Sequence, residues 1–203
     1  MSEGEVAPPV FGSLGDVKTA RLDLRRFYTS DVDGLSAVFA EKEVWEFPFG
    51  RAFSRAETQA FIDRQIRHWV LYSFGLWVVR QESNGRIVGY VGLSVPTFLP
   101  EILPAVEVGW RFSPSVWGLG YASEGATAAL DEAFTTLGLD SVCSIPETLN
   151  RRSVRVADRL GMTMVRRVNV PANEQRGVVR CLLYEINREA WLRGRRKLGT
   201  LGG

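Results

Sequence analysis

Hydrophobic and polar positions follow two different periods along the chain, and these periods predict where strands and helices lie. In TARLDLRRF, apolar and polar residues alternate, which is typical of a strand with one buried face. The next two segments, TSDVDGLSAVFA and SRAETQAFIDRQIRHWVLY, instead carry apolar residues at helical spacing. LWVVRQESNGRIVGYVGLSV then contains two β-rich runs around an SNGR turn, a pattern that predicts a hairpin.

The second half of the chain continues this alternation of element types. AVEVGWRFS predicts a strand, and the alanine-rich YASEGATAALDEAFTTLG predicts a helix. SVCSI is typical of a short strand, and NRRSVRVADRLG has a helical pattern that begins at Asn150, a favourable N-cap. Two strands follow at the end, so the order β-α-α-β-β-β-α-β-α-β-β predicts an α+β fold with helices on a central sheet.

The 203 residues are enough for one domain with a substantial core, which we place at residues 18–192. Apolar residues make up 45% of the chain and charged residues 24%, the proportions of ordinary globular proteins. Residues 1–17 are rich in Gly, Pro and Ser and lack a period, so we expect a flexible N-terminal tail. Residues 193–203 are basic and end in glycine, and we expect a second flexible tail there.

Charge and composition argue against several partners. The formal net charge of +2 is too small to indicate nucleic acid, and no apolar run approaches the ~20 residues that span a bilayer. The chain does not open with a signal peptide, so we expect a cytoplasmic protein. Cys143 and Cys181 lie within apolar runs and are expected to be reduced core thiols. With a single histidine and no paired Cys/His spacing, we expect no metal site.

The segment SVWGLGYASEG places two glycines between a predicted strand and a predicted helix. The first turn of a helix leaves backbone N–H groups unpaired, and the positive end of its dipole attracts anions. Gly118 and Gly120 lack a Cβ, so the backbone can curl and a phosphate can approach closely. The spacing matches neither a P-loop nor G-x-G-x-x-G. The segment therefore predicts a pyrophosphate cradle, with an ordinary tight turn as the alternative.

Two motifs make this part of the chain resemble the GNAT acyltransferases, and within them the ribosomal-protein N-acetyltransferase-like branch. The family's Q/R-x-x-G-x-G/A loop corresponds to residues 115–120, with its Y-A-x-E directly afterwards. The later N-x-x-S…L-G-F pattern corresponds to residues 150–162. The resemblance covers most of residues 18–192 and implies the GNAT fold, a mixed, mostly antiparallel sheet flanked by helices. Ser115 departs from the family's Gln or Arg, and Met162 from its Phe.

The resemblance implies acetyl-CoA, or a related acyl-CoA, as the donor of the transferred group. The pantetheine arm would pair with the backbone from Gly109 to Phe112, and the pyrophosphate would lie on the amides from Trp117 to Ala122. The residues that the resemblance places at the donor site are Trp110, Arg111, Phe112, Trp117, Gly118, Leu119, Gly120, Tyr121, Ala122, Asn150 and Arg152.

The same resemblance suggests which residues carry the transfer to an amine. Glu107, on the strand before the loop, is the candidate base. Alternation puts it on the face opposite Val106 and Val108, and burial would raise its pKa. The alternative is a solvent-facing or ion-paired strand residue. Many family members have Tyr where this chain has Ala157, so we expect the Ser153 hydroxyl to assist the leaving thiolate, or only to hydrogen-bond within its own helix.

Aromatic residues suggest the acceptor side. Trp45 and Phe47 precede the long second helix, a region that lines the acceptor cleft in this family, and His68 on that helix is a candidate second base. All three could instead belong to the core or the surface. We therefore predict an N-acetyltransferase acting on a primary amine, at a protein N-terminus or on a small molecule, and we allow for a homodimer. The alternative is an acyl-CoA-binding sensor or interaction module with lost or weak transferase activity.

Overall fold

The computed structural model describes residues 13–172 and 176–199 of the chain. Within these residues, no helix combines the length and apolar character needed to cross a membrane. The strands are β1 (Val17–Lys18), β2 (Leu22–Arg25), β3 (Leu76–Gln81), β4 (Ile87–Ser94), β5 (Glu107–Phe112), β6 (Ser141–Ser144), β7 (Thr163–Val170) and β8 (Val179–Asn187). The α-helices are α1 (Val32–Phe39), α2 (Arg55–Tyr72), α3 (Tyr121–Thr135), α4 (Arg151–Arg159) and α5 (Arg188–Gly199).

One mixed sheet carries these strands in the order β1-β2-β3-β4-β5-β6-β8-β7. Neighbouring strands are antiparallel except β5 and β6, which run parallel. The predicted α+β fold, with a mostly antiparallel sheet flanked by helices, is confirmed. The structure adds the short strand β1 and the helix α5 to the predicted order.

The two halves of the sheet separate between β5 and β6. β4 pairs with β5 along the whole length of β5. In the described part of the chain, β6 pairs with β5 only at Glu107 and Cys143. The backbone of β5 from Gly109 to Phe112 is therefore paired along one edge and open along the other, and a cleft begins there.

Apolar side chains cover both faces of the sheet. On one face α3 packs over a core that includes Leu130, Val91 and Trp77, all completely buried. Burying a side chain such as Leu130 contributes about 1.5–3 kcal/mol. Gly125 permits the close approach of α3, because a Cβ there would lie 2.8 Å from Cγ1 of Val91. On the other face α1 and α2 enclose an aromatic cluster around Phe39.

The N-terminal end of the described chain is anchored, although the sequence predicts a flexible tail at residues 1–17. Leu14 is 1% exposed, and its N–H donates to the carbonyl oxygen of Ser73. Nε1 of Trp77 donates to the carbonyl oxygen of Gly15 at 3.0 Å. The tail prediction is therefore wrong for its described part, because a single buried leucine among glycines and serines gives no periodic signal. The rest of that segment lies outside the described residues.

The C-terminal end continues as helix α5 to Gly199, although the sequence predicts a flexible tail at residues 193–203. Trp191 is 6% exposed, and its Nε1 donates to the Asp131 carboxylate. Arg195 pairs with the same carboxylate. The tail prediction is therefore wrong as far as Gly199, because these anchors are tertiary contacts that composition does not show. The last four residues lie outside the described residues.

Candidate active site

A cleft with a volume of about 650 Å³ opens where β5 and β6 diverge. Its walls come from the α1–α2 connection (residues 40–54), from β4, β5 and β8, and from α3 and α4. Most of the residues predicted for the site line this cleft. They are Phe47, Glu107, Trp110, Arg111, Phe112, Trp117, Gly118, Gly120, Tyr121, Ala122, Asn150, Arg152 and Ser153.

The glycine-containing segment between β5 and α3 has the geometry of an anion cradle. Gly118 and Gly120 have φ of 80° and 84°, a left-handed conformation that favours glycine. A Cβ on Gly118 would meet no atom within 4 Å, so the space beside this backbone is open. α3 begins directly at Tyr121, and Gly120 provides no side-chain cap for the N–H groups of the first turn. These residues fit the pyrophosphate of an acyl-CoA.

Arg21, in the turn between β1 and β2, and Glu124, in the first turn of α3, brace this segment. The Glu124 carboxylate accepts hydrogen bonds from Oγ1 of Thr19 at 2.6 Å and from N and Nε of Arg21 at 2.9 and 2.6 Å. Nη1 of Arg21 donates to the carbonyl oxygen of Leu119 at 2.8 Å, and its guanidinium lies 4.7 Å from the centroid of the Tyr121 ring. Burial raises the pKa of Glu124, but the bonds from Thr19 and Arg21 bring it below its usual value. Strand alternation marks Arg21 only as a polar position, so the sequence does not reveal this brace.

Glu107 opens β5 at the point where the sheet divides. Its side chain is partly buried in the cleft, while Val106 and Val108 are buried in the core on the opposite face, which confirms the predicted alternation. Burial raises the pKa of Glu107 to about 7, although bonds from the N–H of Ile145 and the Ser94 hydroxyl act in the opposite direction. Both protonation states are therefore populated near neutral pH, which suits a group that accepts a proton.

The start of α4 brings Asn150 and Ser153 to the cleft. Oδ1 of Asn150 accepts a hydrogen bond from the backbone N–H of Ser153 at 3.1 Å, so the predicted N-cap is confirmed. The Ser153 side chain lines the cleft close to the positive end of the helix dipole. Ala157, one turn further along, is completely buried in the core and does not line the cleft. α4 therefore presents a serine hydroxyl to the cleft, and no side chain from position 157.

Arg152 connects α4 to the opposite wall of the cleft. Its guanidinium lies 4.0 Å from the centroid of the Trp117 ring, and its Nη2 donates to Oε2 of Glu46 at 2.8 Å. Both charged side chains are about half exposed, so this ion pair stabilises the fold by no more than about 1 kcal/mol. Arg152 therefore places a cation beside the glycine-containing segment and ties the α1–α2 connection to the donor side.

Three residues predicted for the site lie outside the lining of this cleft. Trp45 is 3% exposed and stacks on Phe53, with centroids 3.8 Å apart, inside the aromatic core. His68 packs on the ring of Tyr72, and burial lowers its pKa to about 4, so its imidazole is neutral at physiological pH. The Leu119 side chain is 51% exposed, and this residue contributes its carbonyl oxygen to the brace. The predictions for Trp45 and His68 are wrong because helix and loop packing, not spacing along the chain, decides where each side chain points. The prediction for Leu119 concerns its backbone amide and stays a prediction.

Glu147 lines the cleft although no sequence motif marks it. It lies between β6 and α4, and burial raises the pKa of its carboxyl despite the positive charges of Arg176 and Arg111. Its Oε1 is buried and has no hydrogen-bond partner among the described residues. Glu147 and Glu107 both line the cleft, and the negative charge of each raises the pKa of Cys181. Only the divergence of the sheet brings Glu147 there, which explains why the sequence does not reveal it.

The two cysteines are free and buried, which confirms the prediction of core thiols. Burial raises the pKa of Cys181 to about 12, and burial also raises that of Cys143. Neither thiol is therefore a nucleophile at neutral pH. Across residues 13–172 and 176–199, no three His, Cys, Asp or Glu side chains cluster as metal ligands would.

Comparison with known proteins agrees with this architecture. The family described as acetyltransferase (GNAT) domain matches residues 21–163. FsC-acetyl coenzyme A-N(2)-transacetylase from Aspergillus fumigatus is 34% identical over 197 residues, which cover 86% of this chain and 77% of the fungal protein. An acetyltransferase from Agrobacterium tumefaciens is similar in structure, with a TM-score of 0.68 and 25% identity over 88% of this chain and 97% of that chain.

The ribosomal-protein-S5-alanine acetyltransferase from Vibrio fischeri is also similar in structure. Its TM-score is 0.68 over 87% of this chain and 98% of that chain, and at 17% identity this likeness shows the fold alone. The specific branch within the family therefore stays a prediction. The domain match over most of the chain, together with the fungal relative, shows that this chain belongs to the GNAT family of N-acetyltransferases.

Proposed function

We propose that this acetyltransferase transfers the acetyl group of acetyl-CoA to a primary amine of a small molecule. The observation that carries the proposal is the position of Glu107. Its carboxyl, with a pKa of about 7, lies at the start of β5, where β5 and β6 separate, and it lines the same cleft as the open edge of β5 and the glycine-containing segment. A proton acceptor titrating near neutral pH therefore shares one cleft with a strand edge and an anion cradle.

The donor half of the cleft is built largely from backbone groups. The open edge of β5 from Gly109 to Phe112 can pair with an amide-containing arm in the manner of an added strand. The amides around Gly118 and Gly120 fit the pyrophosphate, and Arg152 adds a cation beside them. When bound there, acetyl-CoA supplies an already activated thioester carbonyl.

Acyl transfer then needs three things from the protein: a held amine, removal of the proton that this amine loses, and a donor for the leaving sulfur. Glu107 accepts the amine proton, directly or through a water molecule. Ser153 donates its hydroxyl hydrogen bond toward the departing thiolate, and the N-terminal end of α4 favours the negative charge. The buried Ala157 leaves this task to Ser153 in the first turn.

The acceptor half of the cleft supports a compact substrate. Phe47, Phe49 and Phe98 give it an apolar wall, and Glu147 offers a buried carboxylate oxygen to a polar group of the acceptor. The whole cleft has a volume of about 650 Å³, and the acceptor half is only part of it, which favours a small acceptor. The name of the Aspergillus fumigatus relative specifies transfer at N(2) of FsC, and this supports acetylation of a nitrogen atom by the present chain.

A mass-shift screen tests the proposal. Purified protein is incubated with acetyl-CoA or succinyl-CoA against two sets of acceptors, small primary amines and peptides with free N-termini. We expect acetylated products in the small-amine set and release of CoA in step with them. Products only among the peptides would replace the proposed acceptor class by protein N-termini. Binding of acetyl-CoA without product from any amine would contradict transfer and favour an acyl-CoA-binding module.

Replacing Ser153 by Ala is expected to slow acetyl transfer by roughly 10- to 100-fold, the scale of one lost donor to a developing anion. The N-cap of α4 survives in Ser153→Ala, because Asn150 accepts from the backbone N–H of residue 153 and not from its hydroxyl. Steady-state CoA release at saturating acetyl-CoA measures the effect, and the thermal unfolding midpoint should change little. A variant with the wild-type kcat would show that the hydroxyl serves only its helix.

Replacing Arg21 by Ala is expected to raise KM for acetyl-CoA about tenfold, with kcat nearly unchanged. The variant loses the bonds that hold Leu119 and Glu124 in place, so the cradle must be ordered when the ligand binds, at a cost of about 1.4 kcal/mol. Arg55→Ala is the matched control, because Arg55 forms an exposed ion pair with Asp33. Equal KM values in the two variants would refute the brace.

A further inference from the structure

The Arg111 side chain, on β5, makes hydrogen bonds to two other parts of the chain. Its Nη1 donates to the carbonyl oxygens of Val44 and Phe47, the second at 2.9 Å. Its Nε donates to the Tyr90 hydroxyl at 3.0 Å, and the guanidinium lies 4.0 Å from the centroid of the Trp45 ring. One guanidinium therefore joins β5 and β4 to the α1–α2 connection.

The part of the α1–α2 connection held in this way is a wall of the cleft. Val44, Phe47, Pro48 and Phe49 all line it. The backbone of this segment consists of one short 3₁₀ helix (Lys42–Trp45) followed by a turn, which the Gly50 N–H closes by donating to the carbonyl oxygen of Trp45 at 2.8 Å. Segments held by few internal bonds open more readily than core strands. The placement of the wall therefore depends on side chains that reach it from the sheet and from α4.

The backbone of Arg111 pairs with Tyr90 of β4, on the strand whose other edge is open, whereas its guanidinium holds the opposite wall of the cleft. We infer that Arg111 is a positioning residue that sets the acceptor wall, residues 44–49, relative to the donor strand. This inference rests on the proposed function, because it assigns the wall to the acceptor. Acceptor affinity therefore depends on the Arg111 side chain, and donor affinity does not.

The planar fork of arginine is needed for this geometry. Two carbonyl oxygens and a phenol hydroxyl accept from one guanidinium that also stacks on an indole ring. A lysine ammonium is a single point of charge and cannot reproduce this arrangement, although it keeps the positive charge. Arg111→Lys therefore removes the positioning without removing the charge.

Two measurements on Arg111→Lys test the inference. In steady-state kinetics with the amine found in the mass-shift screen, we expect KM for the acceptor to rise about tenfold or more. The calorimetric Kd for acetyl-CoA should stay within about twofold of the wild-type value. In hydrogen exchange without any ligand, we expect faster exchange of the Gly50 amide and its neighbours. Arg80→Lys is the matched control, because Arg80 donates to the carbonyl oxygen of Gly85 in the β3–β4 turn.

The outcomes separate this inference from the proposed function. If wild-type protein acetylates no amine, the proposed function fails, and the exchange measurement still tests whether Arg111 holds the wall. Unchanged acceptor KM and unchanged exchange in Arg111→Lys would overturn the inference, as would a lowered melting temperature with neither effect. A raised Kd for acetyl-CoA with normal acceptor KM would also overturn it, since Arg111 would then serve the donor.

If Arg111→Lys does not fold, a second variant tests the inference. Tyr90→Phe removes one of the three groups that accept hydrogen bonds from the Arg111 guanidinium, and it should raise KM for the amine substrate about twofold to threefold. An unchanged KM would overturn the inference.

Discussion

Replacing Glu107 by Gln is expected to lower kcat by ~10²–10⁴-fold, the usual effect of removing a general base. Glutamine keeps the shape of the side chain but cannot accept the amine proton. The acetyl-CoA affinity should remain close to that of the wild type, because the groups proposed to hold the donor are backbone groups and Arg152, and not Glu107. Steady-state CoA release and a calorimetric titration of the same preparation measure the two quantities separately.

The dependence of kcat/KM on pH identifies the group that acts as the general base. Since Glu107 has a pKa of about 7, wild-type kcat/KM should fall below that pH as the carboxylate becomes protonated. Glu107→Gln should lose this fall in kcat/KM at acid pH and keep only the pH dependence that comes from protonation of the substrate amine. Glu185→Gln is the matched control, because Glu185 is exposed on β8 and pairs with Cys143, the same residue that Glu107 faces. If the fall at acid pH persists in Glu107→Gln and disappears in Glu147→Gln, the base is Glu147.

The same raised pKa has a consequence for stability. A carboxyl whose pKa is higher in the folded than in the unfolded protein binds its proton more tightly when folded. Its contribution to the free energy of unfolding is therefore complete below the usual value of 4.5 and is lost as the pH rises toward about 7. Glu107→Gln should lack this loss, so its melting temperature should exceed that of the wild type more at pH 8 than at pH 4.

Replacing Gly120 by Val is expected to weaken acetyl-CoA binding by about 100-fold, equivalent to about 2.7 kcal/mol. The residue has φ of 84°, where a β-branched side chain is strained, and its Cβ would lie 3.4 Å from Nη2 of Arg21. Both effects displace the amides that fit the pyrophosphate. Isothermal titration calorimetry with acetyl-CoA measures the loss.

Gly138→Val is the control that distinguishes an effect on the anion cradle from a general effect of backbone strain at a glycine. Gly138 has φ of 66°, and a Cβ there would also approach a flexible arginine, Nη2 of Arg188 at 3.7 Å, away from the cleft. Both variants should lose similar thermal stability, but only Gly120→Val should lose acetyl-CoA affinity. Normal binding by Gly120→Val would reduce Gly120 to a turn residue.

Local patterns were sufficient to predict the parts of the site that depend on neighbouring residues along the chain. Strand alternation placed Glu107 on the face opposite Val106 and Val108, and the structure confirms it. The cap of α4 at Asn150 is likewise a local hydrogen bond. Gly118 and Gly120 have left-handed backbone conformations, which favour glycine, so these two positions are also marked by the local sequence.

Features that depend on packing between distant elements could not be predicted in this way. Trp45 is an aromatic residue in the expected region, but its ring turns into the core, and its neighbours Phe47 and Phe49 line the cleft instead. Arg111 lies in the strand that the alternating pattern predicts. The spacing of residues does not show, however, that its guanidinium reaches Val44 and Phe47 in another part of the chain. Glu147 enters the cleft only because β5 and β6 diverge.

A calorimetric titration of the wild-type protein with acetyl-CoA tests most directly whether this cleft is an acyl-CoA site. We expect a single site with a micromolar Kd, roughly −7 to −8 kcal/mol, and a rise in melting temperature at saturating ligand. The absence of both heat and thermal shift at millimolar acetyl-CoA would contradict the account.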